Sequence, residues 1–262
     1  MNGTEIGPGV IQLIGVTKIF GNNGNRSAAV QDISLEASPG ELVLLLGPSG
    51  SGKTTLLTLI AGLVEPTSGK VSLFGRDILD YSSKELQKLR ATRIGFVFQT
   101  FHLIDSLNVV ENVALVLRFT GKTKTATKQQ ALLLLQQFHV EHLARKFPNN
   151  LSQGEKQRVA VARAIANGAE LIIADEPTAS LETKQGFDII RLLHKYAKEQ
   201  NRCVVVASHD LRIVEFADRV LKLEDGVITQ THMRAMNLSS DEPVKESFCG
   251  MPLPCWNNHT VI

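Results

Sequence analysis

The sequence predicts an α/β domain built on a largely parallel sheet with a helical insertion, and three observations predict it. The first is the stretch Gly47-Pro48-Ser49-Gly50-Ser51-Gly52-Lys53-Thr54, set between an apolar run at 42–46 and a helical run at 55–63. The second is a pair of short, continuous apolar runs, 171–174 and 203–207, of the kind found in strands buried on both faces. The third is a change of composition between about 100 and 168, where three helical patterns follow one another with no convincing strand.

In chain order, residues 1–9 read as a loose leader and 10–16 as a strand. Phe20 follows, then a turn rich in Gly and Asn at 21–27, then an alternating strand at 28–37. Phe20 reads either as core or as a flat aromatic surface for a purine. The stretch from Gly47 to Thr54 has the spacing G-x-x-x-x-G-K-[ST] of a phosphate-binding loop. Glycines let backbone N–H groups turn inward around a polyphosphate, and Lys53 sets a cation against the β- and γ-phosphates. Thr54 offers a hydroxyl to Mg²⁺, and the helix beginning there aims its positive end at the anion. The nucleotide-binding set is therefore Gly47, Pro48, Ser49, Gly50, Ser51, Gly52, Lys53 and Thr54, with Thr55 beside it.

Residues 65–69 break the first helix, 70–74 form a short strand and 82–90 a polar-faced helix. A buried strand at 94–98 delivers Gln99 to a loop; a lone glutamine there reads as surface. The helical patterns cover 108–119, 127–142 and 152–167. His139 and His142 fall on one face of the second, and without a third protein ligand they read as solvated surface rather than a metal site. The third pattern opens with Leu151-Ser152-Gln153-Gly154-Glu155, a capping box with Ser152 as N-cap. It reads as a well-capped helix or as a second anion-binding surface made by the Ser152 hydroxyl and the amides beside Gly154.

The strand at 171–174 ends in Asp175-Glu176-Pro177. Adjacent carboxylates at a strand tip are costly unless used, and ligands of open α/β sheets bind beyond the carboxyl ends of strands. Asp175 then holds Mg²⁺ through its shell, and Glu176 orients or deprotonates the attacking water. After an amphipathic helix at 183–200, the strand at 203–207 delivers His209, placed to meet a γ-phosphate or a water. Residues 219–223 and 227–230 read as a hairpin around Asp225-Gly226. The pattern then dissolves, so 231–262 reads as a disordered or weakly docked tail.

Bulk properties narrow the class. A net charge of +2, from 28 basic and 26 acidic residues, gives no global field for nucleic acid or anionic membrane. Cys203, Cys249 and Cys255 form no disulfide framework or metal spacing, which fits a reducing compartment. No basic segment precedes an apolar stretch at the N-terminus, and no apolar run approaches the roughly 18 residues of a membrane span, so the chain reads as soluble.

Taken together, the motifs over about 10–230 resemble the nucleotide-binding subunit of ATP-binding cassette (ABC) transporters. Gly47 to Thr54 is similar to the Walker A loop, Gln99 to the Q-loop, Leu151 to Glu155 to the signature, Leu171 to Glu176 to Walker B with its catalytic glutamate, and His209 to the switch histidine. Phe20 falls where that family places its adenine-stacking aromatic. The resemblance implies a P-loop NTPase fold with a RecA-like core, an antiparallel β subdomain and a helical subdomain at about 100–168. It implies ATP and Mg²⁺ as cofactors, with Thr54, Gln99 and Asp175 at the metal, and Glu176 and His209 as catalytic residues. Ser152 and Gly154 would meet the nucleotide of a second copy in a head-to-tail dimer.

The implied partner is an integral membrane permease subunit, with the chain peripheral on the cytoplasmic face of the inner membrane. Phe101, Leu103 and Ile104 would lie near the groove receiving a helix of that partner, or else are core. Within the family, residues 93–113 are similar to the macrolide-export and lipoprotein-release branch, and to glycolipid exporters of the same branch. Two departures stand out: Gln153 and Glu155 replace Gly and Gln of the usual signature, and Leu181-Glu182 stands for the usual Leu-Asp. An export or mechanotransmission ATPase, and a cassette regulator of a membrane machine such as cell division, share every motif. A cassette acting on nucleic acid or ribosomes is disfavoured, since the chain has one cassette and no sustained heptads.

Overall fold

The computed structural model describes residues 9–21, 25–119 and 121–233; most of the expected leader and tail, with Cys249 and Cys255, lies outside them. In chain order the strands are β1 (Ile11–Phe20), β2 (Ser27–Ala37), β3 (Leu42–Leu46), β4 (Ser68–Leu73), β5 (Arg76–Asp77), β6 (Ile94–Val97), β7 (Leu171–Asp175), β8 (Cys203–Ser208), β9 (Arg219–Glu224) and β10 (Val227–Met233). The helices are α1 (Lys53–Ile60), α2 (Ser83–Arg93), α3 (Val109–Arg118), α4 (Lys124–Gln137), α5 (Gln153–Ile165) and α6 (Thr183–Glu199).

The larger sheet has the order β10-β9-β3-β8-β7-β6. From β9 to β6 every pairing is parallel, and β10 turns back antiparallel on β9. The continuous apolar runs follow from this placement, because both faces of the sheet are covered. Leu42, Leu44, Ile172, Ala174, Val204 and Val206 join the core shared with α3, α4, α5 and α6. Their alternates Val43, Leu45, Leu171, Ile173, Cys203 and Val205 join the core shared with α1 and the smaller sheet. That smaller sheet, β2-β1-β4-β5, is antiparallel, and its β1–β2 pairing carries register shifts with Asp32 at a φ of 49°.

Several local expectations need adjustment. β1 runs on to Phe20, which is therefore the last residue of a strand, and β10 passes the expected end at 230. The helix expected at 127–142 begins earlier and stops at Gln137. Phe138 caps it and is buried, His139 turns left-handed at a φ of 56°, and a 3-10 turn follows at Glu141–Leu143. Burying Phe138 and Val140 on successive sides of that reversal takes the two histidines off any common helical face. Among the described residues no His, Cys, Asp and Glu cluster has the makings of a metal site, and no helix is long and apolar enough to cross a membrane.

α3 and the segment before it are locked by one buried side chain. Asn112 accepts from the Ile104 amide at 2.8 Å and donates to the carbonyls of Ile104, Leu107 and Asn108 at 3.1, 2.9 and 3.1 Å. Replacing it by an apolar residue of similar size removes the partner of the Ile104 amide and of the Leu107 carbonyl, while the Ile104 and Asn108 carbonyls keep the Leu107 and Asn112 amides. Asn112→Leu is expected to lower stability by about 2–3 kcal/mol. Denaturant unfolding would show a lower midpoint at unchanged slope; an unmoved midpoint would contradict the assignment.

Candidate functional site: a phosphate-binding cleft

The site is built where parallel strands stop at one level. β8 lies between β3 and β7, pairing Ser208 with Leu46 and Ala207 with Asp175, while β7 pairs Ala174 with Val97. The loop leaving β3, the carboxylates leaving β7, the histidine leaving β8 and the glutamine following β6 are thereby delivered together. The loop closes on its own surroundings: the Gly47 amide donates to the Ser208 carbonyl at 3.2 Å, and the Gly226 amide donates to the Ser51 carbonyl at 3.0 Å. Gly52 has a φ of 100°, and a Cβ there would lie 2.3 Å from the Ala29 carbonyl oxygen, so only glycine serves. Gly52 also caps α1 without a side-chain acceptor, and no acidic residue stands in the first turn. The first turn of the helix thus carries no carboxylate of its own to occupy its amides, which suits an anion.

Charge is concentrated at the mouth of α1. The Lys53 ammonium, 6% exposed, donates to the carbonyls of Gly47 and Pro48 at 2.7 and 2.9 Å and lies 3.4 Å from Glu176 Oε1. Thr54 donates its hydroxyl to Asp175 Oδ2 at 2.8 Å. Burial raises the Asp175 pKa; the Thr54 hydrogen bond opposes that and the neighbouring Glu176 charge adds to it. Glu176 Oε2 is 3.0 Å from His209 Nδ1. The Glu176 backbone sits at a φ of 47°, a left-handed conformation that costs a non-glycine residue about 1–3 kcal/mol. It is held there by the Glu176 amide donating to Ala207 at 2.9 Å and by the Gln157 amide group donating to the Pro177 carbonyl at 2.7 Å.

Ser49, Gly50, Gly52, Lys53, Thr54, Thr55, Gln99, Asp175 and Glu176 line one cleft, joined by Ala29 from β2. Ser51 is buried, and Gly47 and Pro48 do not line the cleft, though their carbonyls accept from the Lys53 ammonium. Other expected residues lie elsewhere. Phe20 is 47% exposed at the end of β1, with the Lys18 ammonium 5.2 Å from its ring centroid, and does not line the cleft. Ser152 and Gly154 open α5 away from it. There the Ser152 hydroxyl donates to Glu155 Oε2 at 2.8 Å, and a Cβ on Gly154 would lie 2.6 Å from the Gln185 side-chain oxygen. Burial pushes the Glu155 carboxyl up, but the Ser152 amide and hydroxyl with the charges of Lys146 and His142 outweigh it and hold the carboxyl below its ordinary value. Gln157 and Ala29 escape sequence reasoning. The one clue to Gln157 is a polar residue on the helical face shared by Gly154, Val161 and Ile165, all buried.

A strand–loop–helix cradle for a polyphosphate, with a strand-tip carboxylate pair and a histidine beside it, defines a nucleoside-triphosphate-hydrolysing domain of the P-loop class. The ABC transporter family model matches residues 30–179, and the chain belongs to that family, as one of its ATP-binding, ATP-hydrolysing cassettes. It is 41% identical over 214 residues to a protein of Staphylococcus aureus named putative hemin import ATP-binding protein HrtA, a match covering 82% of this chain and 96% of that one. It is also similar to the cassette MJ0796 in a dimeric post-hydrolysis state bound to ADP and Pi, at 38% identity and a TM-score of 0.80, covering 85% of this chain and 98% of that one. The cbiO1 protein of Clostridium perfringens, part of the ABC transporter complex cbiONQ, matches at 28% identity and a TM-score of 0.76, covering 86% and 88%. The relatives bear a hemin-import name rather than one from the macrolide-export or lipoprotein-release branch.

The Asp175 environment gives a prediction with a definite sign. A carboxyl whose pKa is raised by folding binds its proton more tightly in the native state. Stability is then highest below the unfolded pKa of about 3.9 and is lost as pH rises through the raised native value. Asp175→Asn is expected to abolish that loss, so its melting temperature at neutral pH equals or exceeds that of the parent while turnover falls by about 100-fold or more. A variant that melts markedly lower at neutral pH would contradict the account.

Proposed function

We propose that this chain is the ATP-hydrolysing subunit of a membrane export or mechanotransmission complex, working as a head-to-tail dimer beneath an integral membrane permease. The observation that carries the reading is the gathering of Lys53, Thr54, Gln99, Asp175 and Glu176 around one cleft, with His209 on Glu176. Lys53 and the loop amides bind the β- and γ-phosphates, and Phe20 stacks on the adenine. The donor set of Thr54, Asp175 and Gln99 is all oxygen, as Mg²⁺ requires. When bound there, Mg²⁺ neutralises charge on the phosphate oxygens.

Glu176 orients the attacking water and accepts its proton. The water oxygen bonds to the γ-phosphorus as the bond to the ADP oxygen breaks. His209 fixes the Glu176 carboxylate through Nδ1. Ser152 and Gly154 lie off their own cleft, which favours a second copy supplying them to it. The similar cassette MJ0796 is described as dimeric, which supports a dimer here as well. Peripheral attachment to the cytoplasmic face of the inner membrane follows from the permease partner. The export branch rests on residues 93–113, and the name of the relatives makes hemin the first cargo to test, in both directions.

Glu176→Gln is expected to keep ATP binding and cut turnover by about 100-fold or more, on the order of 3 kcal/mol of barrier; unchanged turnover in a phosphate-release assay would remove Glu176 from its role. In that hydrolysis-deficient background, Ser152→Arg is expected to abolish the ATP-dependent dimer seen by sedimentation. A dimer that persists would refute the supply of Ser152 in trans.

A further inference from the structure

We propose that Arg163 is a positioning residue for ATP hydrolysis, a two-pronged clamp that fixes the loop after Gln99 and ties it to the helix beginning at Ser152. Arg163 stands in the last turn of α5. Its guanidinium reaches back to a distant loop, donating from one nitrogen to the His102 carbonyl at 2.5 Å and from another to the Phe101 carbonyl at 2.7 Å. Both acceptors belong to residues in the left-handed region, Phe101 at a φ of 61° and His102 at 46°. Two successive non-glycine residues hold that conformation only when their surroundings enforce it. The fork of the guanidinium matches two adjacent carbonyls in a way a lysine ammonium does not. Among the described residues no carboxylate pairs with Arg163, and burial lowers its pKa. The cation is therefore committed to these carbonyls rather than to an ion pair.

The loop is gripped from both ends. Gln99 lines the cleft just beyond β6, the His102 ring packs on Phe98 at a centroid distance of 4.5 Å, and Ile104 is held to Asn112 on α3. A displacement of α5, which carries Ser152 at its other end, is thus a displacement of the backbone attached to Gln99. The clamp lets the helix that meets a second copy's nucleotide set the position of a residue on the chain's own cleft. This inference rests on the proposed role of Gln99.

The test compares Arg163→Met, Arg163→Lys, Gln99→Ala and the double variant Arg163→Met/Gln99→Ala in the full chain. Turnover, ATP affinity and backbone amide exchange are measured for each. Arg163→Met is expected to lower turnover about tenfold with ATP affinity within about twofold, and to add less than about twofold loss on top of Gln99→Ala. Exchange at 100–104 should speed up about tenfold while 53–60 stays as in the parent. Arg163→Lys should remain impaired. Losses that multiply in the double variant, parental exchange at 100–104, or full rescue by lysine would each overturn the clamp. If Gln99→Ala alone leaves turnover intact, the Gln99 assignment fails, and exchange at 100–104 still decides the clamp. Should Arg163→Met fail to fold, Arg163→Lys supplies the same exchange readout.

Discussion

The structure depends on the level ending of adjacent parallel strands. β3, β8 and β7 pair in a register that sets Leu46 beside Ser208 and Ala207 beside Asp175. Because side chains alternate with a period of two, a slip of one residue would exchange the two cores, moving Val43 and Ile173 to the face held by Leu44 and Ile172. Burial on both faces therefore fixes the register, and the register fixes where Lys53, Thr54, Asp175 and His209 meet. The chemistry is a by-product of packing that tolerates no slip.

Against that stable frame, the cleft itself is built at a cost. Lys53 and Asp175 are charged groups withdrawn from water, Glu176 holds a left-handed backbone, and Phe101 and His102 do the same nearby. Each is held by contacts from elsewhere: Gln157 on Pro177, Arg163 on the 101–102 carbonyls, Asn112 on Ile104. α5 supplies two of those three supports. The helix that starts at the signature-like Ser152 is thus also the brace for the strained segments around the nucleotide cleft, and its capping box at Ser152 and Glu155 keeps its first turn ordered.

What the sequence made legible was local or periodic. The phosphate loop, the buried strands and the cap of α5 are written in short stretches whose physics needs no partner, and the fold and family follow from them. Less legible was whatever depends on distant contacts. The end of α4 is set by Phe138 and Val140 finding the core, so a helical pattern through His142 misleads. Phe20 at the end of β1 and the Ser152–Gly154 turn at the head of α5 do not line the cleft, and no local pattern locates them relative to it. Arg163 acts on residues 61 and 62 positions away and Gln157 on one 20 away, separations that no motif or helical period encodes.

The central claim is that the loop from Gly47 to Thr54 binds a triphosphate through its backbone and Lys53. Titration calorimetry of the purified chain with Mg-ATP addresses it most directly. Saturable heat from one site per chain is expected, with Lys53→Ala weakening the affinity by about tenfold or more, about 1.4 kcal/mol. Absence of heat from the parent chain, or an affinity untouched by Lys53→Ala, would contradict the account.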